Sequence, residues 1–358
     1  MTINYYFIVK TEDKIIKLLK EKMFISSTEI AKILGISRQA VNKHMKKLIE
    51  QGVVERYGHT RGALYSFVGM GNAKKKRKKI IRKLKKEFET DEIEEDIVFL
   101  QFDKNLGLRK YIRPNIYEIF SYAFTEMLNN IIDHSKSPVC RVEVCLSHND
   151  ISFKMRDFGI GIFNNIKKIF KLSDEYESVI EITKGKRTTM PESHSGEGIF
   201  FTSKLGELMT IRSHNYEIVF DNKLKEIFTE RKKYIIGTAF YFKINLYSNK
   251  KLIEIFNNFA PEEFNYQFQK TSVSINLLRK EHITRAEAKR LLVGLEKFKE
   301  IILDFQNTKI IGQGFADEIF RVFHDRYPKI KLKLKNANKE IIRLVSHIVG
   351  ENYNNIDL

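Results

Sequence analysis

Only two cysteines occur in 358 residues, Cys140 and Cys145. They fall in one predicted strand at odd spacing, which turns their side chains to opposite faces. Neither a disulfide between them nor a shared metal is expected. The nine histidines show no ligand spacing relative to these cysteines. No apolar run is long enough to cross a bilayer. The opening MTINYYFIVK lacks the pattern of a signal peptide. Together these absences argue against disulfide-stapled, zinc-bound and membrane-spanning classes. They set the expectation of a reduced, cytoplasmic protein.

What the chain has in excess is positive charge. There are 63 Lys and Arg against 45 Asp and Glu, a net charge of +18. Such a balance points to a polyanion, nucleic acid first, although AT-rich coding DNA biases composition the same way. A hydrophobic content of 42% supports real cores, and the length predicts two or three domains.

Three separated stretches carry the chemistry. In the first, Ile116, Ile119, Phe120, Ala123, Met127 and Ile131 recur at helical spacing. On that helix Glu126, Asn130 and His134 share a face. A carboxylate one turn before an amide carbonyl suits Mg²⁺, which takes hard oxygens and few protein ligands. Taken alone, the face reads more simply as the polar stripe of an amphipathic helix. In the second, Ile151, Phe153 and Met155 alternate as a strand that ends at Asp157, and Gly159 and Gly161 follow. The glycines permit close approach to a flat ligand or a positive φ. Asp157 is placed to accept from an exocyclic amino group such as that of adenine. In the third, Ser195, Gly196, Glu197 and Gly198 open a helix whose free N–H groups suit phosphate.

In order and spacing, residues 98–247 resemble the GHKL ATPase superfamily, which includes DNA gyrase B, MutL, sensor histidine kinases and the anti-sigma-factor serine kinases. The resemblance implies ATP and Mg²⁺ as cofactors. Glu126 would orient or deprotonate the nucleophile, Asn130 would bind Mg²⁺ and Asp157 the adenine. Gly196 and Gly198 would serve the phosphates, and Gly237-Thr238 would lie near the base. The third box departs from the commonest form, with Ile199-Phe200 in place of a leucine. Residues 162–194 would form the lid over ATP. Its Lys186 or Arg187 would reach the γ-phosphate, or the stretch is a basic surface loop.

Near the start, Ser26 and Glu29 fit a capping box and Gly35 a helix terminator. Ser37 fits the N-cap of a second helix. That helix buries Ala40, Val41, Met45, Leu48 and Ile49. It presents Arg38, Gln39, Asn42, Lys43 and Lys46. Two alternating runs flanking Gly58–Gly62 predict a hairpin. Residues 8–70 resemble a bacterial winged helix-turn-helix. That implies double-stranded DNA as partner, with residues 37–47 in the major groove and Arg61 on the adjacent backbone or minor groove. Some winged helices contact only protein, and that alternative stays open.

Residues 71–97 read as a basic helical linker, able to lie along phosphates or simply to connect. The linker lacks the phosphoacceptor His of sensor kinases. After residue 248 strands and helices alternate, predicting a small α/β domain. Residues 265–350 resemble a STAS-like domain through Leu303–Phe315. Gly312, Gln313 and Gly314 stand where antagonist proteins carry a phosphorylated serine, so that modification does not transfer. Docking of a protein partner is one remaining use.

The expected fold is an α+β multidomain chain. A winged helix (1–70) and the linker (71–97) precede a GHKL α/β sandwich with helices on one mixed sheet (98–248), and a STAS-like domain (249–358) follows. The expected function is an ATP-gated, DNA-binding regulator without membrane attachment, with homodimerisation open. The alternatives are a serine/threonine protein kinase of the anti-sigma type and a slow ATPase.

Overall fold

The structure is a computed structural model. It describes residues 11–22, 25–51, 53–57, 64–67, 82–186, 196–278, 284–350 and 355–357. The head begins with α1 (Thr11–Glu21), a two-residue strand β1 (Ile25–Ser26), α2 (Ser27–Leu34) and α3 (Arg38–Glu50). The expected caps are present. Ser26 and Glu29 form a complete capping box, Gly35 ends α2 in the left-handed region at φ 66°, and the Ser37 side chain accepts from Ala40 N–H. Strands β2 (Val54–Tyr57) and β3 (Leu64–Phe67) pair antiparallel, and β1 adds to β3. Ile15, Ile30, Val41 and Met45 close the small core.

The central unit is built on a five-stranded sheet of β4 (Arg82–Glu89), β5 (Val139–Leu146), β6 (Asp150–Asp157), β7 (Leu208–Asp221) and β8 (Glu226–Asn245). Its order is β4-β5-β6-β8-β7, and every neighbouring pair is antiparallel. The sheet is therefore not mixed as expected. The connection from β6 to β7 passes over β8 and joins two strands that run parallel without pairing, so the crossover leaves every hydrogen-bonded pair antiparallel. Helices α4 (Glu95–Leu106), α5 (Leu108–Tyr111) and α6 (Pro114–His134) accompany one face. Phe120 and Phe124 of α6 meet Phe153 and Phe242 of the sheet with ring centroids 5.6–6.4 Å apart. Pro114 at the first turn supplies a pre-set φ and lacks only an N–H the helix cannot use.

The helical linker expectation is corrected for residues 82–89. They form β4, whose side chains alternate between the helix side and solvent. Leu84 and Phe88 are four apart, which fits a helical stripe and a strand equally well. An eight-residue ladder with β5, from Arg82↔Leu146 to Glu89↔Val139, decides for the strand. The basic residues on its inner face bury their stems and send their charge sideways. Lys86 Nζ donates to Gln101 Oε1 at 3.0 Å, and Arg82 donates to the Tyr111 hydroxyl at 2.5 Å. Residues 71–81 lie outside the described residues.

Between β6 and β7 come α7 (Ile162–Phe170), α8 (Glu175–Lys184) and α9 (Gly198–Leu205). After β8, α10 (Leu252–Phe259) leads to a parallel sheet of β9 (Lys270–Ser274), β10 (Glu300–Asp304), β11 (Lys331–Lys335) and β12 (Ile356–Asp357), ordered β12-β11-β10-β9. Helix α11 (Arg285–Leu292) stops at Leu292, and Gly294 turns the chain at φ 84°. Helix α12 (Gln313–Asp317) passes through a π-helical stretch, Glu318–Phe323, into α13 (His324–Arg326). Helix α14 (Lys339–Val349) is capped by Asn338. The α/β expectation for the tail holds, with β12 as an added edge.

The central and C-terminal units share packing. Phe200 and Phe201 of α9 belong to the same buried cluster as Phe268, Val273 and Phe298. Lys184, 1% exposed, pairs with Glu181 Oε1 at 2.6 Å. Its ammonium also donates to the Arg290 and Val293 carbonyls of the C-terminal unit.

Candidate functional site

The head presents a polar helix face. Arg38, Gln39, Asn42, Lys43 and Lys46 are exposed on α3, while Val41, Met45 and Leu48 are buried behind them. Lys47 and His44 tie α3 to Glu12 of α1 at 2.9 and 3.3 Å. Arg61 lies outside the described residues.

In the central unit two of the predicted stretches meet the helix that carries the first. The loop after β6 packs on the C-terminal end of α6. Ile160 N–H donates to the Ser135 carbonyl at 2.9 Å, and Phe158 N–H to Ser137 Oγ at 3.0 Å. A Cβ at Gly159 would lie 1.8 Å from the Ser135 carbonyl oxygen, so only glycine allows this approach. The third stretch meets α6 near its middle, where a Cβ on Gly198 would lie 1.8 Å from Glu126 Oε2. Nine residues of helix separate Glu126 from Ser135, about 13 Å along the axis. Ser135 and Ser137 carry no sequence signal beyond being small and hydroxylated, and sequence reasoning missed them.

Asp157 is 1% exposed at the end of β6. Its Oδ1 accepts from Gly159 N–H at 2.9 Å and Thr238 N–H at 3.1 Å. Burial pushes its carboxyl above the ordinary value, and these hydrogen bonds act against that rise. Gly237, at φ 73°, is held against Asp157, and Thr238 Oγ1 accepts from Ile162 N–H at 2.9 Å. The predicted Asp157, Gly159 and Thr238 thus form one bonded cluster. Gly161, at φ 77°, faces Ser213 and His214. His214 pairs with Glu175 of α8 at 2.8 Å and stacks on Tyr234. The spacing rules that exposed the glycines gave no hint of this pair.

Asn130 donates its amide nitrogen to the Glu126 carbonyl at 2.6 Å. Its Oδ1 is the atom left to serve as a ligand. Glu126 is half-buried and, with Glu197 and Gly198, lines a cavity of about 490 Å³ completed by Tyr122, Phe201, Phe256 and Tyr266. Burial, then the Glu126 and Glu197 carboxylates, push the Tyr122 hydroxyl well above its usual range. Gly196 takes a positive φ of 73° just before α9.

Lys186 does not point freely into a phosphate site. Its ammonium donates to the Lys297 carbonyl at 3.3 Å and lies 4.7 Å from the Phe298 ring centroid. Burial lowers its pKa, and the Glu197 carboxylate opposes that effect. Arg187 and Ser195 lie outside the described residues.

Comparison with known proteins assigns both ends of the chain. Residues 10–55 match the family described as winged helix-turn-helix DNA-binding. Residues 287–341 match a STAS-like domain of unknown function. The chain carries a winged helix-turn-helix domain at its N-terminal end and a STAS-like domain at its C-terminal end. No curated protein matches it. Both family matches lie outside residues 98–247. Among the described residues no helix is long and apolar enough to cross a membrane.

Proposed function

We propose that this winged-helix protein is a regulator whose central unit binds Mg·ATP in a GHKL-like site, and that the nucleotide changes its affinity for DNA or for a partner at the STAS-like domain. The carrying observation is the meeting of two glycine loops on α6, at Glu126 and at Ser135, with the buried Asp157 carboxylate beside the second. That arrangement supplies an acceptor for a purine amino group and backbone N–H groups for phosphates some distance away. The Asn130 amide carbonyl is a hard oxygen ligand. Among the described residues no three His, Cys, Asp or Glu side chains form a metal cage. A bound Mg²⁺ would therefore take most of its ligands from phosphate and water. When bound, ATP with Mg²⁺ supplies a transferable γ-phosphoryl group. Glu126 would orient or deprotonate the nucleophile, as a base within reach of the glycine loop.

Gating requires that ATP bind two conformations unequally. The lid gives it a route, because α8 is joined to the C-terminal unit through Lys184. The test is DNA affinity measured with and without Mg·ATP; equal values remove the coupling. Glu126→Ala should keep ATP binding and lose turnover. Asn130→Ala and Asp157→Asn should each weaken binding at least tenfold, and normal binding by both would refute the site assignment.

A second reading is a protein kinase of the anti-sigma type. The cavity beside Glu126, rimmed by Tyr122, Phe256 and Tyr266, favours it by offering room for a hydroxyl side chain. Labelled ATP would then leave phosphate on a partner protein, and none above a Glu126→Ala control would end this reading.

A further inference from the structure

The central sheet has a second face, opposite the α6 side, and its register sorts charge into rows. One row runs Lys83, Cys145, Ser152, Lys243, Leu208 across the five strands; the next runs Lys85, Glu143, Lys154, Tyr241, Thr210; the third runs Glu87, Arg141, Arg156, Ala239, Arg212. Cations outnumber carboxylates seven to two in these rows. Both carboxylates are already matched, Glu143 by Lys83 at 2.9 Å and Glu87 by Arg141 at 2.5 Å. Among the described residues no carboxylate forms a salt bridge with Lys85, Lys154, Lys243, Arg156 or Arg212. Two of these are held in place without being neutralised. Arg156 lies 5.0 Å from the Phe158 ring centroid, and Arg212 donates to the Lys233 carbonyl at 2.7 Å.

The face is also concave. A cavity of about 760 Å³ is lined entirely by residues of the five strands, among them Lys85, Arg141, Lys154, Arg156, Arg212 and Tyr241. Its carboxylates are Glu143 and Glu217, the latter 3.5 Å from Lys232. Clustered like charge on a rigid sheet costs free energy unless an anion is to be met there. The sequence run Lys74-Lys75-Lys76-Arg77-Lys78-Lys79, shortly before the edge strand β4, adds charge of the same sign.

We propose that this open sheet face is a second nucleic-acid surface, which binds the phosphate backbone of double-stranded DNA without reading bases. The proposal rests on the reading of the chain as DNA-binding. Its lysines offer point charges suited to phosphate, and its three arginines are held by Glu87, the Phe158 ring and the Lys233 carbonyl instead of being free to fork onto a base edge. Each phosphate neutralised releases condensed counterions, so the surface has a signature in salt dependence.

The test uses the full chain and a 60-base-pair AT-rich duplex of arbitrary sequence, titrated across a salt series. The variant is Lys85→Gln with Lys154→Gln and Lys243→Gln. A control removes equal charge from the C-terminal unit through Lys309→Gln, Lys329→Gln and Lys339→Gln, all exposed. The sheet variant should bind roughly tenfold or more weakly, with the slope of log affinity against log salt reduced by about 2–3. The control should stay near the parent. A sheet variant that matches the parent, or a control that loses as much, overturns the proposal. Failure of the head reading shows separately. Arg38→Ala with Lys43→Ala then leaves affinity unchanged while the sheet variant still lowers it.

Discussion

Two glycines of the central site differ in what an added methyl group would strike. At Gly159 the obstacle is backbone, the Ser135 carbonyl, which cannot move without disturbing the end of α6. Gly159→Ala should cost roughly 3 kcal/mol, measurable as a lowered denaturation midpoint with or without nucleotide. At Gly198 the nearest atom is the tip of the Glu126 side chain. That carboxylate can swing aside, so Gly198→Ala should keep most of the stability and lose turnover instead. Equal loss of stability in both variants would contradict this distinction. Asp157 adds a pH dependence. Its carboxyl is raised by burial, so the folded state holds the proton more tightly than the unfolded chain does. Stability from this group is present at low pH and falls as pH rises from the ordinary carboxylate value through the raised one. An asparagine keeps an oxygen for the Gly159 and Thr238 N–H groups and carries no charge. Asp157→Asn should therefore gain stability relative to the parent as pH rises from the ordinary carboxylate value through the raised one, while losing ATP. A constant difference across that range would show that the carboxylate is not titrating there. At this scale the sequence was informative where a residue type is forced, as at Gly159, Gly237 and the Ser26 cap. It was silent on Ser135 and His214, whose roles come from partners far away in the chain.

Elements declare themselves when their periodicity is unambiguous. Helix α6 and strand β6 did so, because their buried residues repeat at one period only. Strand β4 did not, since its two apolar residues satisfy both periods and its lysines suggest a solvated connector. The deciding interaction is the ladder with β5, which a local reading does not contain. The consequence concerns boundaries. A fragment beginning at residue 98 would leave the β5 edge unpaired, and unpaired edges invite association. It would also cut into α4. A fragment of residues 80–358 should be monodisperse with a cooperative melt, whereas 98–358 should aggregate or melt at least 10 °C lower. Matching melts and matching elution volumes for the two would mean that β4 adds nothing to the unit.

At the scale of the whole molecule, the tail and the helices between β6 and β7 pack together. Lys184 ends α8, yet its ammonium serves two carbonyls of the C-terminal unit, and its own carbonyl accepts from Thr271 Oγ1 at 2.6 Å. Phe200 and Phe201 open α9 directly after the glycine loop and enter the C-terminal core. If the proposed nucleotide moves α8 or α9, the STAS-like domain has to feel it. Neither link was legible in sequence, because KGK reads as a surface loop and FF as ordinary core. The buried pair allows a clean test. Removing one member of a buried pair commonly costs about 3–5 kcal/mol, whereas replacing both with apolar groups is often close to neutral. Lys184→Met should thus lower stability by about that amount. Lys184→Met with Glu181→Leu should recover most of it, without restoring the hydrogen bonds to Arg290 and Val293. The double variant is then folded but uncoupled, and Mg·ATP should bind it without altering its affinity for DNA. A double variant that still responds to ATP like the parent would mean that the signal leaves the lid by another path, the Phe200–Phe268 contact at 4.7 Å being the next to remove.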